Sequence, residues 1–235
     1  MKINISSIAI SLSVALSAQL FAELSEKEMD IARAKLNDFN QLVGKWNSMG
    51  AMRVRVKGKP SRWHNSVEWN WYFTDDNVGL TAKFGKGSLY FKEGLLTYDP
   101  AKQNYLFIAK RQPDGAKITF KGKLEKDTYV LRGMHPKTKK PETLKLKMIH
   151  YNAYIWFFEE GRRLLARVSC TVEGGFRAAD QGPKCVVTGG LGTTTVQFEG
   201  ETFYVCCSGC MDAWKKNPAK YVAEFKAKQK EAANN

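Results

Sequence analysis

Cysteine is scarce in this chain of 235 residues, yet three of its five cysteines crowd the segment "ETFYVCCSGCMDAWKKNPAKY", at Cys206, Cys207 and Cys210. Thiols this close together hold a soft metal ion, close a disulfide, or trade electrons through one. The residues before Cys206 put it at the end of a strand, and "SGCMDAWKK" begins a helix, so Cys210 falls on that helix's first turn. A cysteine ending a strand and another on the next helical turn can converge on one point. The helix N-terminus favours the thiolate of Cys210, and a metal would deprotonate every ligand it took.

The elements that must position these thiols are legible. "TTTVQFEGETFYVCC" reads as a hairpin with Glu199-Gly200 at its turn and Val196, Phe198, Phe203 and Val205 as its apolar positions. "NPAKYVAEFKAKQK" begins a second helix, with Asn217 as its cap and Pro218 at its first position. A unit of this size has little core of its own, so a bound metal would add folding energy.

Twenty residues separate Cys185 from Cys206, and three separate Cys206 from Cys210; Trp214 and Asn217-Pro218-Ala219-Lys220-Tyr221 follow. This pattern, with Gly200 at the turn and Tyr204 on the strand, resembles the TRASH/YHS family of small metal-binding modules, over about a fifth of the chain. The resemblance implies that Cys185, Cys206 and Cys210 are thiolate ligands of a zinc or copper-like ion, with Trp214 and Tyr221 as packing around them. Many YHS modules begin Cys-x-x-Cys-Gly-Met, whereas this chain reads "CVVTGG", with Thr188 where a second cysteine would stand. Cys207 is a candidate fourth ligand, although adjacent strand residues point to opposite faces. Three thiolates suit trigonal Cu(I), or zinc completed by water or another residue.

Upstream, "LSEKEMDIARAKLNDFNQLVGKW" reads as an amphipathic helix. Ser25 and Glu28 form a capping box, Met29, Ala32, Leu36, Phe39 and Val43 make the apolar stripe, and Gly44 ends it. From Trp46 to about Phe176 the period becomes two. "MRVRVK" sets Met52, Val54 and Val56 against Arg53, Arg55 and Lys57; "SVEWNWYF" sets Val67, Trp69, Trp71 and Phe73 against Glu68, Asn70 and Tyr72. About ten such runs, separated by turns such as "TDDN", "QPDG" and "HPKTKK", predict an antiparallel meander closed into a barrel. The "LVGKW" opening resembles the Gly-x-Trp start of lipocalin-like barrels, which implies an interior pocket for an apolar small ligand. The competing reading is that Trp46, Trp69, Trp71 and Trp156 fill the interior. The fold class is therefore mainly β: an N-terminal helix, a lipocalin-like antiparallel barrel, and a small α+β cysteine module.

The first residues, "MKINISSIAISLSVALSAQLFAE", carry Lys2, an apolar stretch from Ile8 to Ala18, and small residues at Ala18 and Ala22. They read as a secretory signal, with an uncleaved anchor as the alternative, and predict a periplasmic or secreted protein. No cysteine follows the cleavage positions, which argues against a lipoprotein. The expected units are 1–22, the signal; 23–180, the helix and barrel; and 181–235, the cysteine module, with the linker boundary near Asp180.

Export makes a structural disulfide the main competitor of a metal, and the odd cysteine count leaves one thiol over after full pairing within one chain. A redox role for Cys207-Ser208-Gly209-Cys210 lacks its usual βαβ setting. Cys170, on the last barrel strand, reads as a buried thiol. The net charge of +14 points to an anionic envelope surface as a partner, or simply to solubility. No nucleic-acid signature accompanies it. His64, His135 and His150 are scattered, and no catalytic constellation is present, so the chain reads as a binding protein and not an enzyme. Three functions stand: metal sensing, sequestration or delivery; a ligand- or envelope-binding barrel with a structural metal; and a thiol-disulfide protein using Cys207 and Cys210.

Overall fold

A computed structural model of the chain describes residues 23–55, 57–58, 60–112, 114–175 and 182–233. The signal at 1–22 and the linker boundary near Asp180 fall outside the described residues. Ten strands form the body: β1 (Gly44–Met52), β2 (Arg62–Phe73), β3 (Val78–Phe84), β4 (Phe91–Asp99), β5 (Asn104–Arg111), β6 (Lys117–Glu125), β7 (Thr128–Met134), β8 (Pro141–His150), β9 (Ala153–Glu160) and β10 (Arg163–Val172). Each pairs antiparallel with the next, and β1 pairs with β10 from Trp46 opposite Val172 to Met52 opposite Ala166, which closes the ring. Closure satisfies the backbone of both end strands and leaves the barrel no open edge.

The two-residue period decides which side chains fill it. Along β2, Val67, Trp69 and Trp71 are buried, while Glu68, Asn70 and Tyr72 are only half-buried. Trp46, Trp69, Trp71 and Trp156 are all buried, and the Trp69 and Trp156 rings stack at 6.2 Å. The Trp69 indole N–H donates to the Tyr154 hydroxyl at 3.0 Å, so this polar atom is satisfied inside. Cys170 is a buried interior thiol, 3.2 Å from the Ser48 hydroxyl. Burial pushes its pKa up to about 11.

Two local expectations need correction. The "MRVRVK" alternation does not continue as a strand: β1 ends at Met52, and Arg53 and Val54 bend, with Val56 outside the described residues. The β1–β2 ladder stops at the Ala51–Arg62 pair, so the residues beyond have lost one flanking strand. The N-terminal helix is also shorter than its apolar stripe. Helix α1 spans Glu26–Leu36, with the Ser25/Glu28 capping box formed, and a 3₁₀ segment continues over Asn37–Leu42. Asn37, Asp38 and Asn40 compete for backbone hydrogen bonds and favour leaving the α-helix.

That 3₁₀ segment stops one end of the barrel. Phe39 is fully buried between the Tyr105 and Tyr129 rings, at 5.4 and 4.4 Å. Four barrel aromatics donate hydrogen bonds into the stretch from Lys35 to Leu42: Tyr105 to the Lys35 carbonyl, Tyr129 to Asp38, Trp71 to Asn40 and Trp46 to the Leu42 carbonyl.

The remaining elements are the hairpin β11 (Thr194–Phe198) and β12 (Glu201–Val205), then helices α2 (Ser208–Lys216) and α3 (Pro218–Ala233). Glu199 and Gly200 have φ of 50° and 80°, the left-handed pair a two-residue hairpin turn requires. Asn217 caps α3 by accepting the Lys220 backbone N–H at 3.1 Å. Trp214 packs within 5.9 Å of Phe203 and 6.2 Å of Phe198. The hydrophobic core runs without a break from the barrel into these elements. Among the described residues, no helix is long and apolar enough to cross a membrane.

A packed interior predicts that Trp69→Ala lowers unfolding free energy by about 3–5 kcal/mol. Urea denaturation followed by fluorescence checks it, and a loss below about 1 kcal/mol, the range of a surface change, would contradict the packing.

Candidate metal centre

Three separate pieces of chain bring the thiols together. Residues 185–190 fold back on themselves: the Cys185 N–H donates to the Gly190 carbonyl at 2.6 Å, and the Gly189 N–H donates to the Cys185 carbonyl at 2.8 Å. The loop is tied to β12 by the Val186 N–H, which donates to the Tyr204 carbonyl at 2.8 Å, so Cys185 lies beside the end of the strand that leads to Cys206. Cys210 comes from the first turn of α2, as its position after the hairpin predicts.

The Sγ atoms of Cys185, Cys206 and Cys210 all lie within 4.8 Å of one another, with 3.4 Å between Cys206 and Cys210. Cys185 and Cys210 are fully buried, and Cys206 is half-buried. Thr188 sits at the cluster, its hydroxyl 3.7 Å from the Cys206 sulfur and 4.0 Å from that of Cys210. Thr188 therefore presents a hydroxyl oxygen to the same sulfurs. Cys207 precedes α2 in extended backbone, with φ −162° and ψ 175°. Its sulfur is 3.8 Å from that of Cys206 but stands outside the three-sulfur group.

Electrostatics within the cluster favour a thiolate at Cys185. Hydrogen bonds from the Cys206 and Cys210 thiols pull its pKa far below the usual thiol range, against the effect of burial. Cys206 is raised in return, chiefly as donor to Cys185, and Cys210 is raised first by burial. Cys207 is lowered, first by the Cys206 thiol and then by that of Cys210. Soft, mutually close sulfur donors fit a thiophilic ion, and a metal could be held by Cys185, Cys206 and Cys210.

The cluster is seated on the barrel. Helix α2 lies against β2 so closely that a Cβ on Gly209 would collide with the Trp71 carbonyl oxygen. Asn40 forms the second attachment. It accepts the Trp71 indole N–H at 3.0 Å and donates its amide N–H to the Thr188 carbonyl at 3.0 Å. A Cβ on Gly190 would also press on Asn40, at 3.0 Å from its Oδ1. One side chain thus joins barrel, plug and cysteine loop. Ion pairs of Arg33 with Glu224 at 2.6 Å and Lys216 with Asp75 at 2.8 Å join the same faces.

Asn40 is the site residue that the sequence did not disclose, because its partners lie 31 and 148 positions away. The histidines stay apart from the sulfurs. The Nδ1 of His135 accepts backbone N–H groups of Lys137 and Thr138, that of His150 accepts the Asn152 N–H, and His64 lies on β2. Compared with known proteins, the chain matches no protein-family model and no curated protein.

Asn40→Ala leaves a buried indole donor and the loop attachment without a partner. The expected result is about 1–3 kcal/mol of lost stability, together with faster labelling of Cys206 by a thiol reagent. Unchanged labelling would mean that Asn40 does not hold the loop.

Proposed function

We propose that the chain is an exported metal-binding protein in which Cys185, Cys206 and Cys210 hold a zinc or copper(I) ion for sensing, sequestration or delivery. The observation that carries this reading is the convergence of three sulfurs within 4.8 Å, two of them fully buried, from the Cys185 loop and the turn that leads from β12 into α2. Three sulfurs held this close present a ready set of soft donors, and a soft cation would take all three as thiolates. Cys206 is only half-buried, which supports an ion that can be exchanged over one sealed in the core. Cys207, half-buried and outside the group, supplies an auxiliary thiol. The aromatic filling of the barrel interior gives an apolar ligand no comparable support, and the reading is that of a binding protein and not of an enzyme.

A second reading rests on one distance. At 3.4 Å, the Cys206 and Cys210 sulfurs are close enough that a small rotation would bring them to disulfide bonding, which an oxidising compartment favours.

Elemental analysis with free-thiol counting on the exported chain separates the two. The expected result is about one equivalent of zinc or copper, lost in Cys210→Ser and kept in Cys207→Ser. No metal and few free thiols would overturn the metal reading in favour of the disulfide.

A further inference from the structure

The barrel wall carries cations on most of its strands, and around β5–β9 five of them are matched by acids. Lys110 pairs with Glu93, Arg132 with Glu125, Lys140 with Glu160, Lys145 with Glu159 and Lys147 with Asp127. At the β2–β1–β10 seam the pattern breaks. Ala51 stands opposite Arg62 on one side and Arg167 on the other, so two arginines flank a small residue in a single outward-facing row. Arg53, just beyond the end of β1, lines the same groove, a space of about 420 Å³ with Met49, Gly50 and Ser169 as its other walls.

No described residue forms an ion pair or hydrogen bond with the side chain of Arg53, Arg62 or Arg167. The Nε of Arg167 is buried and has no hydrogen-bond partner. A buried donor without an acceptor is costly, and three like charges around one groove repel, so the seam carries an unfavourable electrostatic energy that no described residue offsets. The next row is His64, Met49 and Ser169, in which Met49 is 55% exposed. Ala51 keeps the floor low between the two flanking strands, which are about 10 Å apart at typical strand spacing. That span lets two guanidinium forks meet on one small group.

We propose that Arg53, Arg62 and Arg167 form an oxyanion site on the outer barrel wall that takes a phosphate group. Planar guanidinium donors match phosphate oxygens two at a time, and a bound phosphate offsets the repulsion among the three arginines. The same phosphate chemistry is offered by a soluble phosphate ester and by the headgroup of an anionic phospholipid. The site lies away from the cysteine cluster and stands independently of the metal reading.

The test uses the full chain, with calorimetric titration of inorganic phosphate and sedimentation with phosphatidylcholine vesicles that contain or lack phosphatidylglycerol. The expected result is saturable binding at one site that weakens at least tenfold in Arg62→Ala/Arg167→Ala. The control pair Lys121→Ala/Lys123→Ala, which removes equal charge from β6, should leave it within about twofold, the size of a general charge effect. Phosphate should raise the melting temperature of the parent chain and not that of the arginine variant. Without phosphate the arginine variant should be no less stable than the parent, because it relieves repulsion. Arginine-dependent sedimentation only with phosphatidylglycerol assigns the site to a lipid headgroup. Phosphate binding without sedimentation assigns it to a soluble ester. Absence of both, or equal weakening by the lysine control, would overturn the site.

Discussion

The plug formed by residues 37–42 is the constraint on which the rest of the arrangement depends. A meander can close into a ring and still leave its ends open to water. Here Phe39 enters one end, and the polar tips of two tyrosines and two tryptophans find their partners on the plug and the last turn of α1. Those hydrogen bonds let large amphipathic rings be buried without orphaned donors. They also hold Asn40 where it bonds to both Trp71 and Thr188. The cysteine loop is therefore positioned by a segment about 150 residues earlier in the chain, through a joint of two hydrogen bonds.

The division of labour among the cysteines follows from backbone geometry. Cys206 directly follows β12, and Cys210 lies on the first turn of the helix after it, so their sulfurs approach as a local consequence of the strand-to-helix turn. Cys185 arrives from a loop that folds back and hydrogen-bonds to β12. Cys207, adjacent to Cys206, stays outside the three-sulfur group, although its sulfur comes within 3.8 Å of that of Cys206. Thr188 closes the remaining side with a hydroxyl, a harder and more weakly binding group than a thiolate. A center built this way has three strong donors and one weak neighbour, in place of a symmetric cage.

Much of this was legible in the sequence, and what was missed has common causes. Alternation around Trp69 and Trp71 reported the buried face correctly, because each apolar residue contributes to the pattern independently of its partner. The hairpin turn at Glu199-Gly200, the capping box at Ser25 and the cap at Asn217 were readable because each is a local device. The same alternation in "MRVRVK" failed, since strand propensity does not reveal where a neighbouring strand stops. The α-helix was read past Leu36 because Phe39 keeps the helical spacing while Asn37, Asp38 and Asn40 break the helix. Asn40 as a joint and the Arg62–Ala51–Arg167 row were not visible at all, since both exist only once the ladder registers are set.

The closed ring has a consequence for how damage would spread. The pairing of β1 with β10 leaves no edge strand on the ten-strand body, whereas β11 and β12 form a sheet of two strands only. If the cysteine unit loosened, by loss of an ion or by oxidation of its sulfurs, the sticky strand edges thereby released would belong to that small hairpin. The larger sheet would offer no template for another chain to extend. The architecture acts as a firebreak, confining the hazard of self-association to the part of the molecule whose thiols are most exposed to change.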